Sequence, residues 1–348
     1  MTFRNLIPAY RTAALVLAVL AFGPAARGAA NLEARVRIGK QRHRIILLGR
    51  RDGMVLFRYA DSGSAATAAM KPQDISRLRI RIEYDRDAYT KARRRQEWAT
   101  AGTVLAKALA PALQFVDIKN NNVVSPAIRA AKCFMRAGSV KTGCHWEIEG
   151  RANGQREYQL ANALLQAAMK AEWSARADTA ALMSSICLVA LGKADDAAAL
   201  LENLSVPDTA DDEYGLHRLA RATLLVERRQ YVEAIEQAVD GIAFETKDID
   251  TFPDSLMLSA YCYGKLGNWY RARDVYYEIA RLFSGTHWEI AAREHLKTIV
   301  DEALTKEDEA VAVENVFFGI EENMNEKVAT LLNPEKDPPS RKKETDPK

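Results

Sequence analysis

The sequence predicts a mostly α-helical fold, built of helix–turn–helix repeats and preceded by a small β domain. Apolar and charged residues alternate in short runs between residues 31 and 85, which is typical of half-buried strands. Beyond residue 158, apolar residues recur at helical spacing, and a small alanine returns every 36 to 38 residues. These alanines are Ala161, Ala197, Ala234 and Ala272. A fixed period of that length is the sequence mark of stacked helical repeats.

The first thirty residues have the layout of a secretory signal peptide. Arg4 and Arg11 supply a positive start, an apolar run follows over 12–22, and small residues lead to Ala30. That run is about half the roughly 20 residues that a transmembrane helix needs, although an uncleaved anchor stays an alternative. We expect cleavage after Ala30 or Gly28 and an exported protein, periplasmic or secreted. Since no cysteine lies near the cut, we expect no lipoprotein anchor.

Residues 31–85 are predicted to form a small basic β domain. The Asp52-Gly53 pair stands between two apolar runs, which is a strong hairpin signal. Around Leu78 and Ile80, arginines occupy every second position, as expected of a strand with one buried face. Four or five short strands in this length predict a curled sheet or an SH3-like barrel.

Charge is distributed unevenly along the chain. Residues 31–110 carry 18 Lys and Arg against 8 Asp and Glu, whereas residues 111–348 have a net charge of −10. A basic head on an acidic body indicates a binder of an anionic surface, such as lipid head groups, polysaccharide or nucleic acid. A merely solvated basic surface is the alternative. Aromatic residues for base stacking are few, which disfavours nucleic acid.

Residues 86–157 are predicted to be a helical connector. Helical spacing runs from 88 to 113, where Pro111 ends or bends the helix. Ser125-Pro126 then opens a second helix that reaches about Ala137. Cys133 and Cys144 have ten residues between them and could form one local disulfide.

Residues 158–304 contain three segments that align. Each has a helix, a short turn and a second helix, and the turns are Leu191-Gly192, Arg228-Arg229 and Leu266-Gly267. Residues 255–284 resemble a tetratricopeptide repeat most closely; the further matching residues are Ala260, Tyr263, Ala272 and Tyr276. The resemblance is weaker over 158–300, and it is strongest to tetratricopeptide proteins of the bacterial cell envelope. It implies an α-solenoid that binds a partner on its concave face.

The repeat frame also predicts the state of the remaining cysteines and of the C-terminal region. Cys187 and Cys262 occupy equivalent positions two repeats apart, too distant to be bridged, so we expect buried free thiols. Thr286 and Glu289 predict a capping box at a helix start, in the second of two copies of the tetrapeptide His-Trp-Glu-Ile. We expect 305–332 to be a capping helical region and 333–348 to be a disordered tail.

No catalytic, metal or cofactor motif stands out in the sequence. None of the five histidines has the spacing of a known metal site, although His287 and His295 share one helix face. We therefore expect a non-enzymatic protein without cofactors. A cell-wall-associated enzyme or enzyme accessory stays open, because catalytic triads scatter along a chain.

The expected function is that of an exported scaffold or adaptor that binds a protein or peptide. By repeat phase, five residues of the first helices are predicted to line the concave face. They are Thr223, Glu227, Met257, Tyr261 and Lys265. The basic β domain, as a binder of an anionic surface, is the alternative.

Overall fold

The computed structural model describes residues 31–61, 66–142, 146, 151–244 and 251–306. Within them, a five-stranded antiparallel sheet precedes eleven α-helices, so the mostly helical class with an N-terminal sheet is confirmed. Residues up to Ala292 form one compact unit, and a second begins at Arg293. None of the described helices is long and apolar enough to cross a bilayer. The predicted signal peptide, the tail and nearly all of the capping region lie outside the described residues.

The sheet is formed by consecutive strands, with the last strand returning to pair with the first. The strands are β1 (Leu32–Ile38), β2 (Gln41–Arg51), β3 (Met54–Tyr59), β4 (Ala68–Met70) and β5 (Ile75–Ile80). Their order across the sheet is β4-β3-β2-β1-β5. A 3-10 turn over Pro72–Asp74 leads directly into β5. The register shifts within the β2–β3 and β1–β5 pairs, and such irregularities bend and twist strands.

The predicted hairpin at Asp52-Gly53 is confirmed. Arg51 pairs with Met54, and the two residues between them have φ values of 50° and 76°. Positive φ at both central positions is the type I′ geometry, whose twist matches that of the flanking strands. One face of the sheet is apolar and buried; its central side chains are Val36, Ile45, Leu47, Val55, Phe57, Leu78 and Ile80.

The helices pack in chain order. They are α1 (Arg86–Arg94), α2 (Trp98–Leu109), α3 (Val124–Thr142), α4 (Arg151–Met169), α5 (Arg176–Ala190), α6 (Ala194–Glu202), α7 (Tyr214–Glu227), α8 (Tyr231–Phe244), α9 (Thr251–Lys265), α10 (Trp269–Leu282) and α11 (His287–Lys306). From α1 to α10, each helix contacts the next one along the chain. The connection between α2 and α3 is a loop with a 3-10 turn at Leu113–Phe115. The odd-numbered helices α3, α5, α7 and α9 also contact one another in sequence.

Three helix ends share one hydrogen-bond pattern. Gly192, Arg229 and Gly267 have φ values of 74°, 61° and 77°. In each case the amide of the following residue donates to a carbonyl five residues back, as from Lys193 to Leu188. This is the Schellman motif, in which a left-handed residue closes the helix. The three turns aligned in the sequence are therefore equivalent in structure.

Small residues lie where helices approach closely. The repeating Ala161, Ala197, Ala234 and Ala272 are all fully buried, as expected. Between α3 and α4, the ring of Tyr158 lies over Gly138 and Gly154. A β-carbon on Gly138 would come within 2.8 Å of that ring. Helices α3 and α4 therefore pack closely at this point, where only glycine fits without a shift of the ring.

The helical prediction over 88–113 was wrong in one respect, because the segment forms two helices. α1 ends at Arg94, and Gln96 takes a left-handed φ of 58° before α2 begins at Trp98. The Gln96 side chain donates to the carbonyl of Gly285, far along the chain. The second predicted helix, α3, extends to Thr142 and is longer than expected.

Cys187 and Cys262 are buried free thiols, as predicted. Burial raises the pKa of Cys262 to about 12. Cys133 is likewise a buried free thiol, and its predicted partner Cys144 lies outside the described residues. Helix α3 continues nine residues past Cys133, a rise of about 13 Å. The disulfide between Cys133 and Cys144 stays a prediction.

The start of α11 is anchored by Trp288. Its Nε1 donates to Asp254 at 2.7 Å, and its ring lies 5.8 Å from that of Phe283. The guanidinium of Arg136 in α3 lies over the rings of both Trp98 and Trp288. Glu289 accepts from the amide of Gly285, one residue before the expected partner of the capping box. In the first His-Trp-Glu-Ile copy, only Trp146 is described, and it is buried.

The middle helix-closing turn offers a direct test, because Arg229 takes a conformation that favours glycine. We expect Arg229→Gly to raise the free energy of unfolding by about 0.5–1 kcal/mol. Gly267→Ala is the matched control, since a β-carbon there meets nothing within 4 Å and only the backbone is strained. It should lower stability by about 1 kcal/mol. Denaturant unfolding measures both, and a destabilised Arg229→Gly would contradict the assignment.

Candidate functional site: an arginine ladder and the adjoining cleft

The polar face of the sheet carries six arginines in two rows. In the first row Arg35 of β1 pairs with Arg44 of β2 on one side and Arg79 of β5 on the other. In the second row Arg37 pairs with Arg42 and Arg77 in the same way. All six are exposed. We call this set the arginine ladder: Arg35, Arg37, Arg42, Arg44, Arg77 and Arg79.

The ladder concentrates positive charge, and carboxylates of the described residues pair with only one of its six arginines. Neighbouring strands lie about 4.8 Å apart, which sets the spacing of the arginines within one row. Alternate residues along one strand lie about 6.8 Å apart, which sets the spacing between the two rows. Arg44 lies 3.7 Å from Asp61, a pair in which both side chains are largely exposed. Among the described residues, the other five have no carboxylate partner. Like charges directly opposite one another weaken a sheet, so this arrangement has no rationale in stability.

An asparagine loop holds the free edge of β5. The backbone amide of Ile80 donates to Oδ1 of Asn122 at 2.8 Å, and Nδ2 of Asn122 donates back to the carbonyl of Ile80 at 2.9 Å. Asn120, with a φ of 54°, donates to the carbonyl of Ser76. The loop therefore substitutes for a sixth strand and satisfies an edge that would otherwise be open.

Two further contacts fix this loop. Asn121 is buried and its amide donates to the carbonyls of Val116 and Ile118, while its Oδ1 accepts from the amide of Val123. On the other side, Arg50 of β2 donates to both carboxylate oxygens of Asp117. The sheet is thereby joined to the segment between α2 and α3 at two places, so the ladder is presented by a fixed support.

A polar cleft of about 620 Å³ opens beside the ladder, between β5 and the loops of the helical part. Its described lining residues are Arg37, Gly39, Ser76, Arg77, Arg79, Asn120, Asn121 and Trp173. Three ladder arginines therefore share one recess, and no carboxylate is among those lining residues. Trp173, from the loop between α4 and α5, is half-buried and is the one aromatic side chain there. The chemistry of the cleft suits an anion.

The predicted partner-binding residues divide into two groups. Thr223 and Met257 are fully buried, and the Thr223 hydroxyl donates to the carbonyl of Leu219. Their burial disfavours direct contact with a partner, and their place on a binding surface stays a prediction. Glu227 and Tyr261 are half-buried and Lys265 is exposed. The ammonium of Lys265 lies 5.1 Å from the Tyr261 ring, and these three stay predictions.

The buried titratable groups around His217 and Arg218 lie in the packing between helices. His217 of α7 is 1% exposed, and burial together with the nearby Arg221 and Arg218 lowers its pKa to about 4. Arg218 itself donates to Gln237 and to the hydroxyl of Tyr214, which in turn donates to Asp240. This cluster joins α7 to α8. Among the described residues, no group of three or more His, Cys, Asp or Glu is placed to hold a metal ion.

Comparison of the chain with protein-family models, with curated proteins and with solved structures finds no match in any of the three. The function must therefore be inferred from the ladder and the cleft.

Part of this site can be predicted from the sequence. The alternating arginines of β1 and β5 are visible in the sequence as basic strands, but their facing register depends on pairing between residues 40 and 44 positions apart. The structure adds the run Asn120-Asn121-Asn122 to the site. Nothing local in the sequence indicates that it pairs with β5, or that Trp173 lies at the cleft.

The asparagine loop gives a prediction for stability. Asn122→Ala leaves the amide and carbonyl of the buried Ile80 without their partner, so the free energy of unfolding should fall by about 1–2 kcal/mol. Asn203→Ala is the control, since the exposed Asn203 bonds only within its own helix end. It should change stability by less than about 0.5 kcal/mol. Thermal unfolding of both variants measures the difference, and equal effects would refute the edge-pairing role.

Proposed function

We propose that this protein is a non-enzymatic, exported binding protein that holds an anionic partner on the arginine ladder of its N-terminal sheet. The observation that carries the proposal is the facing register of six exposed arginines, five of them without a carboxylate partner among the described residues. Such an arrangement lowers stability when nothing is bound, and a polyanion removes the repulsion. The apolar run at residues 12–22 supports the export.

The ladder belongs, in this proposal, to an SH3-like barrel. The strand order β4-β3-β2-β1-β5, with the fifth strand returning to the first after a 3-10 turn, supports that topology. The register shifts in β1 and β2 supply the bends that a small barrel requires. In a barrel the apolar face is enclosed, which leaves the arginines on the outer surface.

Polyanion binding at low salt tests this function. We expect the full chain to bind a sulfated polysaccharide such as heparin, with an affinity that falls steeply as salt rises. Arg35→Gln/Arg44→Gln removes two ladder charges outside the cleft and should weaken binding about tenfold at low salt. Arg228→Gln/Arg271→Gln removes the same charge from exposed positions on the helices and is the control. Equal losses in the two double variants would reject the ladder as the binding surface.

A second candidate function is the predicted one, in which a tetratricopeptide-like α-solenoid binds a protein or peptide on its concave face. The sequential contacts between α3, α5, α7 and α9 favour it, because first helices of successive repeats stack in this way. The three equivalent helix-closing turns agree with that repeat. Glu227, Tyr261 and Lys265 are the remaining candidate contacts, within a scaffold of the cell envelope.

Photo-crosslinking separates this candidate from the first. A crosslinking amino acid in place of Tyr261 should capture one specific protein from a cell-envelope extract. The same residue in place of Tyr270, which is 62% exposed on α10, should not capture it. Capture at both positions, or at neither, would speak against a partner site on the first helices.

A further inference from the structure

We infer that the cleft beside the ladder recognises a carboxylated polysaccharide, with one acidic sugar held by Arg37, Arg77 and Arg79 and its ring against Trp173. This inference rests on the proposed polyanion-binding function and specifies its ligand. The cleft is open, and its volume of about 620 Å³ lies within the range of small-molecule sites.

The positive charge of the cleft favours a ligand with an anionic group. Three guanidinium groups line it and no carboxylate is among its described lining residues. Guanidinium groups bind carboxylates through paired hydrogen bonds, which gives both affinity and orientation. The side-chain amide of Asn120 lies at the same rim, where it donates to the carbonyl of Ser76.

The continuity of the cleft with the ladder indicates a polymer. Arg37 and Arg77 belong to one ladder row, and that row continues across β2 to Arg42, outside the cleft. A single small anion would occupy the cleft and leave the remaining arginines facing one another. A chain with a charge on each unit reaches from the cleft along the row, so each bound unit meets a guanidinium.

The aromatic content distinguishes a polysaccharide from a nucleic acid. Proteins that bind single strands provide aromatic platforms for successive bases. Here Trp173 is the one aromatic residue at the cleft, and the six ladder positions carry none. One indole can pack against the apolar face of one sugar ring, and the carboxylates of the flanking sugars can bind to the arginines.

The apolar content of the face distinguishes a polysaccharide from a membrane surface. Proteins that lie on a bilayer insert apolar side chains beside their basic residues. The largest exposed apolar residue of the described sheet is Tyr59, which is 38% exposed and packs with His43 and Phe57. Three of the arginines also line the cleft, and a polymer chain can follow that concave surface more closely than a flat bilayer can.

The test compares four probes of defined composition with the full chain at one low salt concentration. They are an oligogalacturonate, a poly-L-glutamate of equal charge, an oligothymidylate of equal charge, and vesicles of phosphatidylcholine with phosphatidylglycerol. We expect the oligogalacturonate to bind about tenfold more tightly than the other two polymers, because only it engages both the guanidiniums and the indole. It should also change the indole fluorescence, and Trp173→Phe should abolish that change.

Two double variants locate the selectivity. Arg77→Gln/Arg79→Gln should remove the preference for oligogalacturonate, whereas Arg42→Gln/Arg44→Gln, outside the cleft, should weaken all polymers alike and keep the preference. Thermal unfolding verifies that each variant is folded. If all polymers bind equally through the ladder, the proposed function stands and the polysaccharide inference is overturned. Tighter binding of oligothymidylate or of vesicles overturns it as well, and absence of binding to every probe overturns both.

Discussion

The facing register of the arginines on β1, β2 and β5 is the constraint on which the rest of this structure depends. Four like-charged pairs lie directly opposite one another, an arrangement that destabilises a sheet. The sheet must therefore be held by its buried apolar face and by contacts from outside. Val36, Leu47 and Leu78 supply the first, and the Asn120–Asn122 loop with the Arg50–Asp117 pair supplies the second.

The helical part provides the support for this face. The loop that pairs with β5 is fixed between α2 and α3, and α3 in turn packs tightly on α4 through Gly138 and Tyr158. Trp173 lies in the next loop, immediately after α4. The cleft is thus formed where the first helices of the array meet the sheet. In the proposed function, the sheet that binds the partner and the helices that support it belong to one compact unit.

Local signals in the sequence predicted the elements of the fold well. Asp52-Gly53 determined the hairpin, and the recurring alanines and the turns at Gly192 and Gly267 predicted the helix pairs, because each depends on neighbouring residues. Contacts between distant residues were not predictable in this way. Gln96 bonds to Gly285, Arg136 lies between Trp98 and Trp288, and Thr223 is covered by adjacent helices. Repeat phase alone could not separate such a buried position from a surface one.

In the proposed function, the sheet and its cleft bind the anionic partner. Hydrogen–deuterium exchange of the full chain, with and without an oligogalacturonate, tests it most directly. We expect slower exchange in the β1–β2 turn, in β5 and in the loop at residues 119–123, with α7 and α9 unchanged. Slower exchange confined to α7 and α9, with the sheet unaffected, would contradict it.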